Sequence, residues 1–242
     1  MSELSPELQN LYKLARRAKS EGNSVNAQKY YDMISVQNPD DWEAAFYSVY
    51  YQAMQTNIGG ILNATVRVQN AARSALDLIA NSDESDAEKG IHAREVLSSV
   101  EHIGNIFSGA TYVKSGSGFD ELKKEMDERD SAIRIMRYNA ILKAGSLFGK
   151  EVDLYLRAMF DLCIGINDFA NAQKANAFIA KYNPSFGGAN KISSKQIAND
   201  EAKRKEDRDV KIGCAVLIGG IIAIIVFIIY IRDHPISCVN LQ

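Results

Sequence analysis

Side chains able to do chemistry are few in this chain, and their spacing argues against a reaction centre. His92 and His102 are ten positions apart. One helix face can carry both, but they stand too far apart to bind a single metal ion unaided. Lys114-Ser115-Gly116-Ser117-Gly118 lacks the glycine spacing and the following lysine of a phosphate-binding loop. No nucleophile elbow or metalloprotease motif occurs. Cys163, Cys214 and Cys238 have no paired spacing, which argues against a disulfide framework or a zinc site and suits a reducing compartment. The expectation is a protein that is not an enzyme, with no cofactor and no metal.

The elements that would position any site read as helices; period-two alternation bounded by turns is absent. Helices are expected over Ser5–Ser20, Asn26–Gln37, Asp41–Thr56, Ile61–Ala80, Asp86–Ser108, Phe119–Lys143, Lys150–Cys163 and Asp168–Lys181. Asp40 or Asp41 would cap the third, and Gly59-Gly60 would form a corner. Leu62, Val66, Ala72, Leu76 and Ile79 mark the expected buried stripe of the fourth. Gly109–Gly118 is the longest break in the body and the candidate hinge. The helix after it carries Asp120–Lys124, Glu125–Arg129 and Asp130–Arg134 at i,i+4, the pattern of a solvated face. Ser185–Ser193 reads as a Gly-rich linker, and Ser194–Lys211 as a polar helix of mixed charge.

The next twenty residues, Ile212 to Ile231, carry no charge. Twenty helical residues span roughly 30 Å, the thickness of the hydrocarbon layer of a bilayer. Lys203, Arg204, Lys205, Arg208 and Lys211 precede the run and only Arg232 follows it, so the positive-inside bias puts the body in the cytoplasm. No signal peptide is legible at the N-terminus. The layout expected is a body over 1–192, a linker and juxtamembrane helix over 193–211, a transmembrane helix over 212–231 and a short outer tail over 232–242, in a bacterial plasma membrane. Ala215, Gly219 and Ala223 recur every four residues, a spacing that lets two membrane helices approach and pair as a homodimer. The net charge of −2 is nearly balanced and implies no nucleic-acid partner.

Two distant stretches match. Asn26-Ala27-Gln28-Lys29 recurs as Asn171-Ala172-Gln173-Lys174, and Asn38-Pro39 as Asn183-Pro184, both at an offset of 145 residues. The preceding helices align as well, Leu11, Leu14, Ala15 and Ala18 against Leu156, Met159, Phe160 and Cys163. Self-similarity of this kind marks stacked helical hairpins. With Gly22-Asn23 at the turn and Ala27, Tyr31, Ile34 and Pro39 following, the first copy resembles the tetratricopeptide family. The second departs from it, with Asn167 at the glycine position and Asn176 at the aromatic one. The stretch from Asn26 to Ala53 is also similar to that of uncharacterised bacterial proteins, which implies no activity.

The resemblance implies an all-α fold of tetratricopeptide-like antiparallel hairpins stacked as a short solenoid, followed by a single transmembrane helix. It further implies a groove that takes a protein or peptide partner, with Tyr12, Arg16 and Lys19 on the first helix and Phe46, Tyr47 and Tyr50 on the third. Each set shares one helical face. Aromatics beside cations suit a peptide that is partly acidic and partly apolar, although the same aromatics also suit packing between helices. Tyr12 and Arg16 stand where carboxylate-gripping members carry Lys and Asn, so that mode is not implied. The function expected is a tail-anchored scaffold or adaptor. The alternatives are a membrane signalling or stress component regulated by pairing of its anchor, and a divergent membrane-associated enzyme.

Overall fold

The computed structural model describes residues 4–110 and 119–206. Among these residues every regular element is a helix. They are α1 (Pro6–Ser20), α2 (Ser24–Gln37), α3 (Trp42–Met54), α4 (Ile61–Asn81), α5 (Asp86–Gly109), α6 (Phe119–Phe148), α7 (Asp153–Gly165) and α8 (Phe169–Tyr182). The chain divides into two compact units, Met1–Ala189 and Asn190–Gln242. In the second, residues 190–206 are helical.

Local chemistry sets the helix starts. Ser5 Oγ accepts the Leu8 amide at 3.2 Å, with Pro6 following at a position that needs no N–H donor. Asp41 Oδ2 accepts from Ala44 N at 2.7 Å. Ser85 and Glu88 form a reciprocal capping box at the head of α5. Each such cap contributes about 1 kcal/mol.

In the first unit α1 packs on α2, α2 on α3 and α3 on α4. Helices α4, α5 and α6 pack against one another, and the α7–α8 hairpin joins them through α6. The middle helices are 21, 24 and 30 residues long, against 15 and 14 for α1 and α2. A continuous array of equal short hairpins therefore does not run through residues 41–148.

The 145-residue relation is structural. Helices α2 and α8 have the same length of 14 residues and begin and end at equivalent positions. Gly22 (φ +69°) and Asn167 (φ +62°) make the same left-handed turn. Asn23 N donates to Ala18 O at 2.9 Å, and Asp168 N to Cys163 O at 2.8 Å. Asn38 and Asn183 close the helices with φ/ψ of −139°/79° and −136°/77°. Ala27 and Ala172 are both fully buried, so the paired helices cross closely in each copy.

Three expectations are corrected. On α4, Leu62 and Val66 are exposed at 44% and 56%, and the buried side is the one bearing Ala64, Val68, Ala71, Ala72, Ala75, Leu76 and Ile79. The alanines let α4 lie close to several neighbours at once, which outweighs burying two larger side chains. On α6, Arg129 is buried rather than solvated and donates to the Ala110 carbonyl at 2.7 Å. The expected linker Ser185–Ser193 is instead a 3-10 turn, Pro184–Phe186, a left-handed Gly187 and helix from residue 188.

Among the described residues no helix is long and apolar enough to cross a membrane. The run expected to do so, with Ala215, Gly219 and Ala223, lies outside the described residues, as does most of the candidate hinge (111–118).

Candidate functional site

Helix α3 touches α5 although the 21-residue α4 intervenes in the chain. Together with α1 these two helices form a polar seam. Its first station is Glu43, in the opening turn of α3. Arg16 from α1 grips it with Nε at 3.1 and 3.2 Å from the two carboxylate oxygens and Nη2 at 2.6 Å from Oε2. The Tyr31 hydroxyl donates to Oε1 from the buried side at 2.8 Å. The Glu43 side chain is only 9% exposed, whereas that of Arg16 is 63% exposed. A buried carboxylate is therefore satisfied from one side by the core and from the other by a cation at the surface.

The second station is Glu95 of α5. Lys19 Nζ lies 2.6 Å from Oε1, and the Tyr47 hydroxyl donates to the same oxygen at 2.7 Å. The Lys19 ammonium also sits 3.7 Å from the centroid of the Tyr47 ring, a close cation–π contact. Ser99, one turn on, lies 3.1 Å from the Tyr47 hydroxyl oxygen. Burial works against the Glu95 charge, but the bonds from Lys19 and Tyr47 prevail and hold its carboxyl below the usual range. At the third station the Tyr50 hydroxyl meets His102 Nδ1 at 2.7 Å. Glu95, Ser99 and His102 thus follow one face of α5 at steps of four and three.

Trp42 and His92 pack with their rings tilted at 41° and their centres 4.7 Å apart, and His92 Nε2 is 3.4 Å from Glu84. Arg16, Lys19, Ser20, Trp42, Glu43, His92 and Glu95 line a cleft of about 580 Å³ over this seam. An indole, an imidazole, two carboxylates and the two cations that hold them line it. Among the described residues no group of three His, Cys, Asp or Glu side chains could hold a metal ion.

Of the six residues expected to meet a partner, Arg16 and Lys19 reach the cleft. Tyr12, Phe46, Tyr47 and Tyr50 do not stand free at the surface; they are 9%, 0%, 1% and 6% exposed. Tyr31 stacks on Tyr47 and Tyr51, and Phe46 and Tyr50 meet Tyr47 edge-on. Burial pushes the Tyr12 and Tyr50 hydroxyls up to about 12, and those of Tyr31, Tyr47 and Tyr51 further. The spacing identified one helical face correctly, and that face is the one turned inward. Trp42, Glu43 and Glu95 were not singled out by spacing, and His92, weighed there only as a metal ligand beside His102, lines the cleft. The i,i+4 step from Glu43 to Tyr47 was legible, but the pairing of α3 with α5 was not.

The second hairpin tests whether such a seam is needed for this local fold. Glu43 and Tyr31 correspond to Gly188 and Asn176 at the 145-residue offset. There Asn176 lies so close to Gly188 that a Cβ on the glycine would clash with the amide. An aromatic–carboxylate pair in one copy is replaced by an amide–glycine contact in the other, with the hairpin unchanged. The charged seam is an addition to the hairpin rather than a condition for it. No family model, no curated protein and no solved structure matches the chain.

Proposed function

We propose that the protein is a membrane-tethered scaffold of tetratricopeptide-like character that binds a protein partner in the cleft between α1, α3 and α5. The observation carrying this reading is the contrast between the two hairpins. The N-terminal one holds Glu43 buried beneath an exposed Arg16, and the related one makes the same turn and crossing with no carboxylate at that place. A hairpin that makes the same turn and crossing with glycine at the corresponding position does not need the carboxylate for them, which leaves the exposed Arg16 side of the pair available for a second role. Arg16 and Lys19, with Trp42 and His92 lining the same cleft, suit a peptide bearing both acidic and apolar side chains. The tether in this reading is the apolar run at 212–231. Confining both proteins to one surface raises their effective concentration, so a cleft of modest area suffices.

The test is crosslinking in native membranes, comparing the full chain with an Arg16→Ala/Lys19→Ala variant whose helicity is unchanged. Loss of a specific adduct in the variant supports the reading, and identical adducts in both remove the cleft from it. Extraction of the full chain at alkaline pH, beside a chain lacking 212–231, tests the tether. The intact chain should stay with the membrane fraction and the shortened one should leave it.

A further inference from the structure

Arg129 of α6 is 8% exposed, and among the described residues its charge has no hydrogen-bonded counter-ion. Nη1 donates to the Ala110 carbonyl at 2.7 Å, while Nε, itself buried, has no acceptor there. Asp130 Oδ1 stands 3.9 Å from Nε, beyond hydrogen-bonding reach, on a side chain that water screens. Arg137, about two turns along the same helix, is treated differently. Its Nε lies 3.3 Å from Glu101 Oε2, and its Nη2 donates to Asn105 Oδ1 at 2.7 Å. A buried cation without such a partner is costly, so the space beside Arg129 bears on what the residue is for.

That space is a cavity of about 310 Å³, to which Arg129 contributes beside Ile58, Ile61, Leu62, Leu122 and Met126. Leu62 and Met126 are each 44% exposed, so the cavity presents apolar surface to the outside. We propose that it binds a single apolar chain ending in a carboxylate, with the carboxylate on the Arg129 guanidinium and the chain against the aliphatic side chains. The guanidinium keeps donors in a planar fork that matches two carboxylate oxygens, and its buried setting strengthens such charge-assisted bonds. Glu125 and Glu128 also line the cavity, and both are exposed. They oppose a second negative charge on the ligand, which favours a carboxylate over a phosphate. Water screens them more than it screens the buried cation, so a single negative charge is still drawn in. The volume is at the low end for small-molecule sites, enough for one chain and too little for a two-chain lipid. The inference does not depend on the cleft at α1, α3 and α5.

The experiment uses octanoate carrying a diazirine at its chain end, with the full chain in phospholipid vesicles. Irradiation should attach the probe within 58–62 or 122–126, as read by peptide mass. Octanoate should displace the probe at a concentration about tenfold or more below that of octanol, which keeps the chain but loses the charge-assisted bonds. Octylammonium should displace it no better than octanol. Equal displacement by octanol would show that only the chain is read, and stronger displacement by octylammonium that Glu125 and Glu128 govern the site. Either result overturns the proposal, as does attachment elsewhere or none. In Arg129→Met, which retains an unbranched side chain, the advantage of octanoate over octanol should vanish. A merely structural role for Arg129 would change the action of the three competitors alike, and an undiminished advantage of octanoate overturns the proposal. If helicity falls in that variant, the competitors on the intact chain decide alone.

Discussion

Gly22 and Asn167, 145 residues apart, occupy the same left-handed backbone well, at φ +69° and +62°. Asn is among the few non-glycine residues that enter this region readily, because its short polar side chain makes local hydrogen bonds. An asparagine at the glycine position is thus a conservative exchange, and the two turns are one structure.

Asn167→Gly should therefore leave stability within a few tenths of a kcal/mol. Asn167→Val should cost about 1–2 kcal/mol, the penalty of the left-handed conformation for a side chain that cannot relieve it. Gly22→Ala should cost a similar amount through backbone conformation alone, since no atom stands within 4 Å of a Cβ built there. Urea unfolding of the three variants checks this. Equal effects of Asn167→Gly and Asn167→Val would show that the turn is not held in that well.

Glu43 carries a different sort of constraint. Glu43→Gln retains the shape but turns an amide donor toward Arg16 or Tyr31, both of which already donate. One donor must go unpaired, and the expected loss is about 1–3 kcal/mol. Glu43→Gly, which copies the residue at the related position, should cost more, because Tyr31 stays behind with its hydroxyl unpartnered. Adding Tyr31→Asn should recover part of that loss, since the pair then matches Asn176 and Gly188. Urea midpoints of the two single variants and the double variant measure the coupling, and strict additivity would count against the equivalence of the two sites.

How much of this was legible in the chain depended on whether the deciding contact was local. The ends of α2 and α8, the cap at Asp41 and the matching motifs within each hairpin rest on residues within a few positions of one another. The seam does not. Glu95, Ser99 and His102 acquire their meaning from Tyr47 and Tyr50, on a helix that α4 separates from theirs. The inward turn of Phe46, Tyr47 and Tyr50 had the same origin: helical spacing defines a face, and only the neighbouring helices decide whether that face is a groove or a core. On α4 the alanines won over Leu62 and Val66 because close approach to several helices buries more surface than two larger side chains.

Glu95 makes stability depend on acid. Its carboxyl is held below its ordinary value of 4.5 by Lys19 and Tyr47, against the opposing effect of burial. A lowered folded-state pKa means that the unfolded chain binds the proton more readily. The stabilisation is then complete above pH 4.5 and is lost as the pH falls through the lower folded value. Glu95→Gln should be less stable than the intact chain at pH 7, with the two stabilities converging as the pH falls through the lowered folded value. Urea midpoints across that range provide the check; a constant gap between the two curves would mean that the charge of Glu95 contributes nothing.

The tyrosines set the alkaline limit with the opposite sign. Tyr12 and Tyr50 ionise near 12 in the folded chain against an ordinary 10.0, chiefly because burial disfavours the phenolate, and Tyr31, Tyr47 and Tyr51 are pushed higher. A raised folded-state pKa means that the folded chain keeps the proton longer. Stability is thus full below pH 10 and falls as the pH rises toward 12. The part of the phenolate absorbance that Tyr50→Phe removes should rise together with loss of helicity rather than ahead of it. Tyr50→Phe separates the two roles of that hydroxyl. At pH 7 it should cost about 0.5–1.5 kcal/mol for the lost bond to His102. Above pH 10 it should make the fall in stability shallower by one proton, because one fewer buried hydroxyl resists ionisation. An unchanged alkaline slope would show that Tyr50 titrates as an exposed phenol and that the α3–α5 seam opens to water well before the helices unfold.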